Sequence, residues 1–258
     1  MSRDKLKGTV FQKKIEAMVR RRPPPGKWCA INSIRHLSKA WEICDIDPEM
    51  AYFRCACAEE EAAKALFHSL IRLKYEGAEK LGLNKHWHKY SVVPFIWAMK
   101  KKFGRLPSFI YDLQVSVVGN EEEELLEVNF KIPGIRAICK SIPPLHFKMQ
   151  ENNNPYLDFW TELHSLPEIG NTKQFIAFLH SGAKNRSYIL YAHNNGIPTI
   201  RPENAEEFIH KQLTNVTEIL TLYLLIDPYK EHQYFVQQCL SAFLKVLDEI
   251  PTKFDPEI

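Results

Sequence analysis

The sequence predicts a mainly α-helical fold, a bundle interrupted by one inserted β-hairpin. Long windows carry apolar residues at four-and-three spacing, the stripe by which a helix buries one side. Between residues 113 and 132 the period falls instead to two, as in strands with one buried face. There are only ten glycines, with no Gly-x-Gly-x-x-Gly, no P-loop and no Gly-x-Ser-x-Gly, which argues against the common nucleotide-binding and hydrolase sheets.

Residues 1–25 read as a basic arm or terminal helix in which Leu6, Val10, Ile15 and Val19 can form a stripe. Arg20-Arg21-Arg22 then runs into Pro23-Pro24-Pro25-Gly26, a stiff break. Residues 26–104 supply the first half of the bundle. Ala30, Ile34, Leu37, Trp41 and Cys44 mark one helix, with Arg35, Lys39 and Glu42 off its stripe. Asp47 can cap the next helix with Pro48 in its first turn, and Ala51, Cys55, Ala58, Ala62, Leu66, Ser69 and Leu73 extend it to about Tyr75. Gly77 and Gly82 loosen the chain before helix resumes from Trp87 to Lys102 despite Pro94.

Residues 105–150 form the insertion. Leu113–Val118 reads as a strand, Gly119-Asn120 as a turn, and Leu126, Val128, Phe130 and Ile132 as the inward residues of a second strand. The acidic run Glu121–Glu124 reads as a solvated loop between them. Residues 151–258 supply the second half: helices at Tyr156–Leu166, Thr172–Leu179 and, after Gly182, Asn185 to about Asn194. Ile209, Leu213, Val216, Leu220 and Tyr223 mark a further helix, and Tyr234–Leu247 the last.

Composition narrows the setting. Residues 1–22 hold eight Lys or Arg against Asp4 and Glu16, a local charge of +6; the remainder sums to −3, giving +3 overall. Such an arm contacts nucleic acid or an acidic partner, with Arg20, Arg21 and Arg22 its densest point, or docks on the body as a solvated helix. Nothing approaches the roughly 20 apolar residues of a membrane span, and no apolar signal core opens the chain, so a cytoplasmic protein is expected. The six cysteines have neither zinc nor disulfide-framework spacing and are expected to be reduced, mostly buried thiols. His86 and His88 lack a carboxylate or cysteine at a recognised offset, so no metal or cofactor is expected.

The candidate chemistry lies in two segments. Arg186 and His193 are seven residues apart, so on one helix at about 100° per residue they share a stripe about two turns apart. A permanent cation and a titratable imidazole in that relation can hold a phosphate and move a proton. The second segment, Ala58-Glu59-Glu60-Glu61-Ala62-Ala63-Lys64-Ala65-Leu66, puts charge on a largely apolar helix. Structural alternatives stand beside both. Arg186 can pair with Glu59 or Glu60 between helices, His193 can sit at a helix C-terminus, and Glu60 with Lys64 makes a favourable i,i+4 surface pair.

The Glu-Glu helix, the His86-Trp87-His88-Lys89 segment, and a late helix with Arg186 and Leu190-Tyr191-Ala192 together resemble the AbiV-type abortive-infection proteins of the HEPN superfamily. The resemblance covers roughly residues 28–100 and 170–225 and leaves the hairpin as an insertion. The superfamily's signature is Arg, four to six residues, then His; Arg186 and His193 have six between them. Ser187 stands where many members carry Asn, Asp or His, while Asn185 offers an amide on the other side. The resemblance implies a HEPN-like helical bundle that cuts RNA without metal, by attack of the 2′-hydroxyl on the neighbouring phosphate. His193 would then be the acid/base residue, Arg186 the phosphate clamp, and Glu59 or Glu60 a group orienting one of them. Lys64, Asn185 and the arginines at 20–22 would contact the strand. It further implies an antiphage or toxin-like role, a homodimer, and a possible protein antitoxin. The competing expectation is a non-catalytic helical module that binds nucleotide, RNA or a protein partner.

Overall fold

The computed structural model describes residues 6, 8–104, 112–120, 122–131, 138–150, 156–167, 169–192, 194 and 196–250, and the side chains of all of these except 112, 113, 131 and 183–187. It is mainly helical, with a small antiparallel sheet, as the sequence periodicities predict.

The centre of the bundle is a helical hairpin of α2 (Gly26–Ile43) and α3 (Pro48–Arg72) with α8 (Pro202–Ile226) laid against both. Alanines make this close approach possible: Ala30, Ala40, Ala51, Ala58, Ala62 and Ala65 are all fully buried. The start of α2 is equally tight, because a Cβ on Gly26 would lie 3.2 Å from the Ala65 carbonyl oxygen and the Tyr223 ring. Asp47 caps α3 as expected, its carboxylate accepting from the Met50 N–H at 2.9 Å, and Pro48 begins the helix.

The arm becomes α1 (Val10–Val19), opened by a capping box in which Thr9 and Gln12 exchange hydrogen bonds. It docks on α2 and α8. The docked residues are Ile15, Met18 and Val19, whereas Val10, expected on the stripe, is 74% exposed.

After α3 the chain passes through a 3-10 turn to α4 (His86–Tyr90) and α5 (Val92–Gly104). The expected single helix over 87–102 is therefore two, broken at Ser91, and Pro94 sits harmlessly in the first turn of the second. The sheet has order β1 (Asp112–Val118), β2 (Leu125–Lys131), β3 (Ile138–Lys140), with Val115 opposite Val128 and Val117 opposite Leu126. Leu126 and Val128 are buried, and β2 lies against α8. The third strand was not expected; three exposed residues leave no alternation to read. The acidic turn is also less free than a solvated loop, since Glu124 binds Lys14 at 2.7 Å and Arg21 at 3.5 Å.

In the second half, helix over the expected Tyr156–Leu166 is confined to α6 (Trp160–His164), where Asp158 Oδ1 accepts the Trp160 N–H. The last helix, α9 (Tyr234–Asp248), buries Phe235, Val236, Leu240, Phe243 and Leu247. Helix α7 (Thr172–Tyr188) departs from expectation at both ends of its second half. It runs unbroken through Gly182, and it stops at Tyr188 instead of reaching Asn194. Packing accounts for both. The Tyr90 ring occupies the place of the missing Gly182 side chain, 2.0 Å from where a Cβ would be. Beyond that contact Tyr188, Leu190 and Tyr191 are exposed, and helix propensity without a buried face does not prolong a helix.

None of the six cysteines is in a disulfide; Cys29, Cys44 and Cys55 are buried and Cys139 is exposed. Trp28 is exposed as well. No described helix is long and apolar enough to cross a membrane.

Candidate functional site

Glu59 and Glu60 are consecutive on α3 and therefore about 100° apart around it. Each meets a different neighbour. Glu59, 3% exposed, turns to α8, where Asn215 Nδ2 donates to its Oε2 at 3.3 Å. Burial pushes its carboxyl up to about 7, against the pull of the Asn215 and Gln212 amides and with a small upward push from Glu60.

Glu60, 7% exposed, turns to α4. Its Oε2 accepts from Lys89 Nζ at 2.7 Å and pairs with His86 Nδ1 at 2.8 Å. Burial alone would raise its pKa, but the His86 hydrogen bond and the Lys89 charge outweigh that and hold it below the usual carboxylate range. Two chemically identical groups one residue apart are thus driven in opposite directions, a pattern typical of sites that divide acid and base roles.

The short helix α4 makes this possible. His86 and Lys89 are three residues apart, on one side of a helix, and that side faces α3. Lys89 is 7% exposed, so its ammonium is inside the protein, whereas the His86 side chain is 35% exposed. Among the described residues the second ring nitrogen of His86, Nε2, has no hydrogen-bond partner. His88 has a different use: its Nδ1 accepts the Gly82 N–H at 3.1 Å and fixes the turn before α4. The two histidines therefore diverge, and among the described residues no three His, Cys, Asp or Glu side chains gather as metal ligands. Tyr90, at the end of α4, is half-buried, and burial with the nearby Glu59 charge pushes its hydroxyl up.

Helix α7 packs against both α3 and α4. Its contact with Tyr90 is at Gly182, and Arg186 stands four residues, one helical turn, further on. The side chains of Arg186 and Asn185, and His193 altogether, lie outside the described residues. Because α7 ends at Tyr188, five residues short of His193, the single helical stripe expected to carry Arg186 and His193 is not formed.

Among the described residues no ion pair joins Lys64 to Glu60; Lys64 is half-buried on the α2 side, within reach of Cys29 and His68. The expected surface pair is replaced by buried contacts to α4 because Glu60 turns inward. Arg20 is exposed and binds Glu16 at 2.7 Å, Arg21 reaches Glu124, and Arg22 is half-buried. The basic arm is therefore partly neutralised by its own protein. Sequence reasoning missed Lys89, Asn215 and the pairing of His86; the available signal was the i,i+3 spacing of His86 and Lys89 in an otherwise aromatic segment.

No protein-family model, curated protein or solved structure matches the chain.

Proposed function

We propose that the chain is a metal-independent endoribonuclease of the HEPN kind, acting in an antiphage or toxin-like system. The observation that carries this reading is the buried Glu60 carboxylate, which gathers His86 and Lys89 at the junction of α3 and α4, against the helix bearing Arg186. RNA cleavage by the 2′-hydroxyl needs a cation for the phosphate and groups that exchange protons, and needs no metal. Arg186 is the phosphate clamp, its planar fork matching two phosphate oxygens. His193 supplies the proton to the leaving 5′-oxygen, and Glu59 and Glu60 hold the groups around them in place. The family resemblance adds a homodimer and a protein antitoxin as expected partners.

The test is incubation of a mixed-sequence RNA with the purified chain in excess chelator, followed by end-group analysis. Fragments ending in 2′,3′-cyclic phosphate, lost in Arg186→Ala, are expected. Persistence of the same fragments in Arg186→Ala, or cleavage abolished by the chelator, would overturn the reading.

A further inference from the structure

We infer that His86 is the general base of this site, taking the proton of the RNA 2′-hydroxyl on its Nε2 while Glu60 holds the ring from the other side. The inference rests on the RNA-cleavage reading above and adds the acid–base partner which that reading lacks.

The geometry is that of a carboxylate–imidazole pair. An ionised carboxylate only accepts hydrogen bonds, so the contact of Glu60 Oε2 with His86 Nδ1 at 2.8 Å keeps a proton on Nδ1. In the neutral ring the lone pair is then on Nε2, the nitrogen that has no partner among the described residues. Lys89, on the same carboxylate oxygen at 2.7 Å, favours the ionised form of Glu60 and so keeps the tautomer fixed. Glu60 and Lys89 are buried while the imidazole is 35% exposed, so the two inner groups orient and the outer one meets the strand. The placement of α4 agrees: Tyr90, one turn from His86, touches α7 at Gly182, one turn before Arg186.

The step balances without a co-reactant. His86 Nε2 accepts the 2′-hydroxyl proton as the O2′–P bond forms. The P–O5′ bond breaks, the leaving 5′-oxygen takes a proton from His193, and the products are a 2′,3′-cyclic phosphate and a 5′-hydroxyl. Protonated His86 then returns its proton to water.

The experiment compares wild type, His86→Ala and His86→Asn on RNA and on a uridine 3′-phosphate ester with a p-nitrophenolate leaving group, across pH 5–9. His86→Asn retains a donor toward Glu60 and removes the accepting nitrogen, so it controls for folding. Both variants are expected to lose about 10²–10⁴ in rate on both substrates. A base is needed whatever the leaving group, whereas an acid is dispensable when the leaving group departs unprotonated. Full activity of His86→Asn on RNA overturns the inference alone, as does rescue of either variant by the nitrophenyl ester. A wild-type chain that cleaves neither substrate overturns the ribonuclease reading and the inference with it.

Discussion

Replacing Glu60 by Ala should expose the cost of a stranded buried charge. Lys89 is 7% exposed and its Nζ is 2.7 Å from Glu60 Oε2, so the variant leaves an ammonium inside the protein without its carboxylate. Removing one partner of a buried pair costs about 3–5 kcal/mol, because the survivor keeps its desolvation penalty. His86 adds little to that figure, since its side chain is 35% exposed and water screens it. Native stabilities of about 5–15 kcal/mol make such a loss easy to read as a lowered urea midpoint at pH 7. The cause is separable from the loss: in Glu60→Ala/Lys89→Met no stranded cation remains, and most of the stability should return. A loss below about 1 kcal/mol, the range of exposed pairs, would refute the burial argument. A double variant no more stable than the single one would refute the assignment of the loss to Lys89.

Two further outcomes test the rest of the site. The Glu59 carboxyl is pushed up to about 7 from its ordinary 4.5, so between those pH values the native state holds more protons than the unfolded chain. Stability should therefore fall by up to about 3 kcal/mol as pH rises across that window and level off above it. His36 and His68, held below their ordinary range by burial, act with the opposite sign below about pH 6.5, so the readout is the difference from Glu59→Gln; parallel curves would refute the shift. Gly182→Ala places a Cβ 2.0 Å from the Tyr90 ring and should cost about 1–3 kcal/mol by thermal unfolding. That cost should largely vanish in a Tyr90→Ala background, and an equal cost there would show that the ring is not what the new methyl meets.

The long helices were legible because burial and periodicity coincide in them. In α3 the expected Ala51, Cys55, Ala58, Ala62 and Leu66 are buried, and Asp47 caps where a side-chain oxygen before Pro48 predicts. The buried face of β2 followed from Leu126 and Val128 for the same reason. The failures are tertiary. Gly182 reads locally as a breaker, and only the Tyr90 ring from a distant helix explains why α7 continues through it. The end of α7 at Tyr188 depends on where the neighbouring surface stops, which a local pattern does not encode. Glu60 reads as half of an i,i+4 pair with Lys64, yet its partners are 26 and 29 residues away. Of this cluster, Glu59 and Glu60 stand out in the sequence as charges on an apolar helix, whereas the sequence shows no partner for His86 or Lys89.

The separation of Glu59 from Glu60 gives one helix two different kinds of buried carboxyl. Adjacent residues on α3 point about 100° apart, and here one carboxyl bonds to α8 and the other to α4. Against α8, burial favours the uncharged form against the pull of the Asn215 and Gln212 amides, and that form closes the core without needing a counter-ion. Against α4, the His86 hydrogen bond and the Lys89 charge favour the charged form, even though apolar side chains of similar volume often pack at no greater cost. Cohesion alone therefore does not account for Glu60 and Lys89. What the buried pair does provide is a permanent acceptor behind an imidazole whose other nitrogen has no partner among the described residues. The proposed general-base role of His86 requires that polarity, because only the tautomer with its proton on Nδ1 presents a lone pair on Nε2.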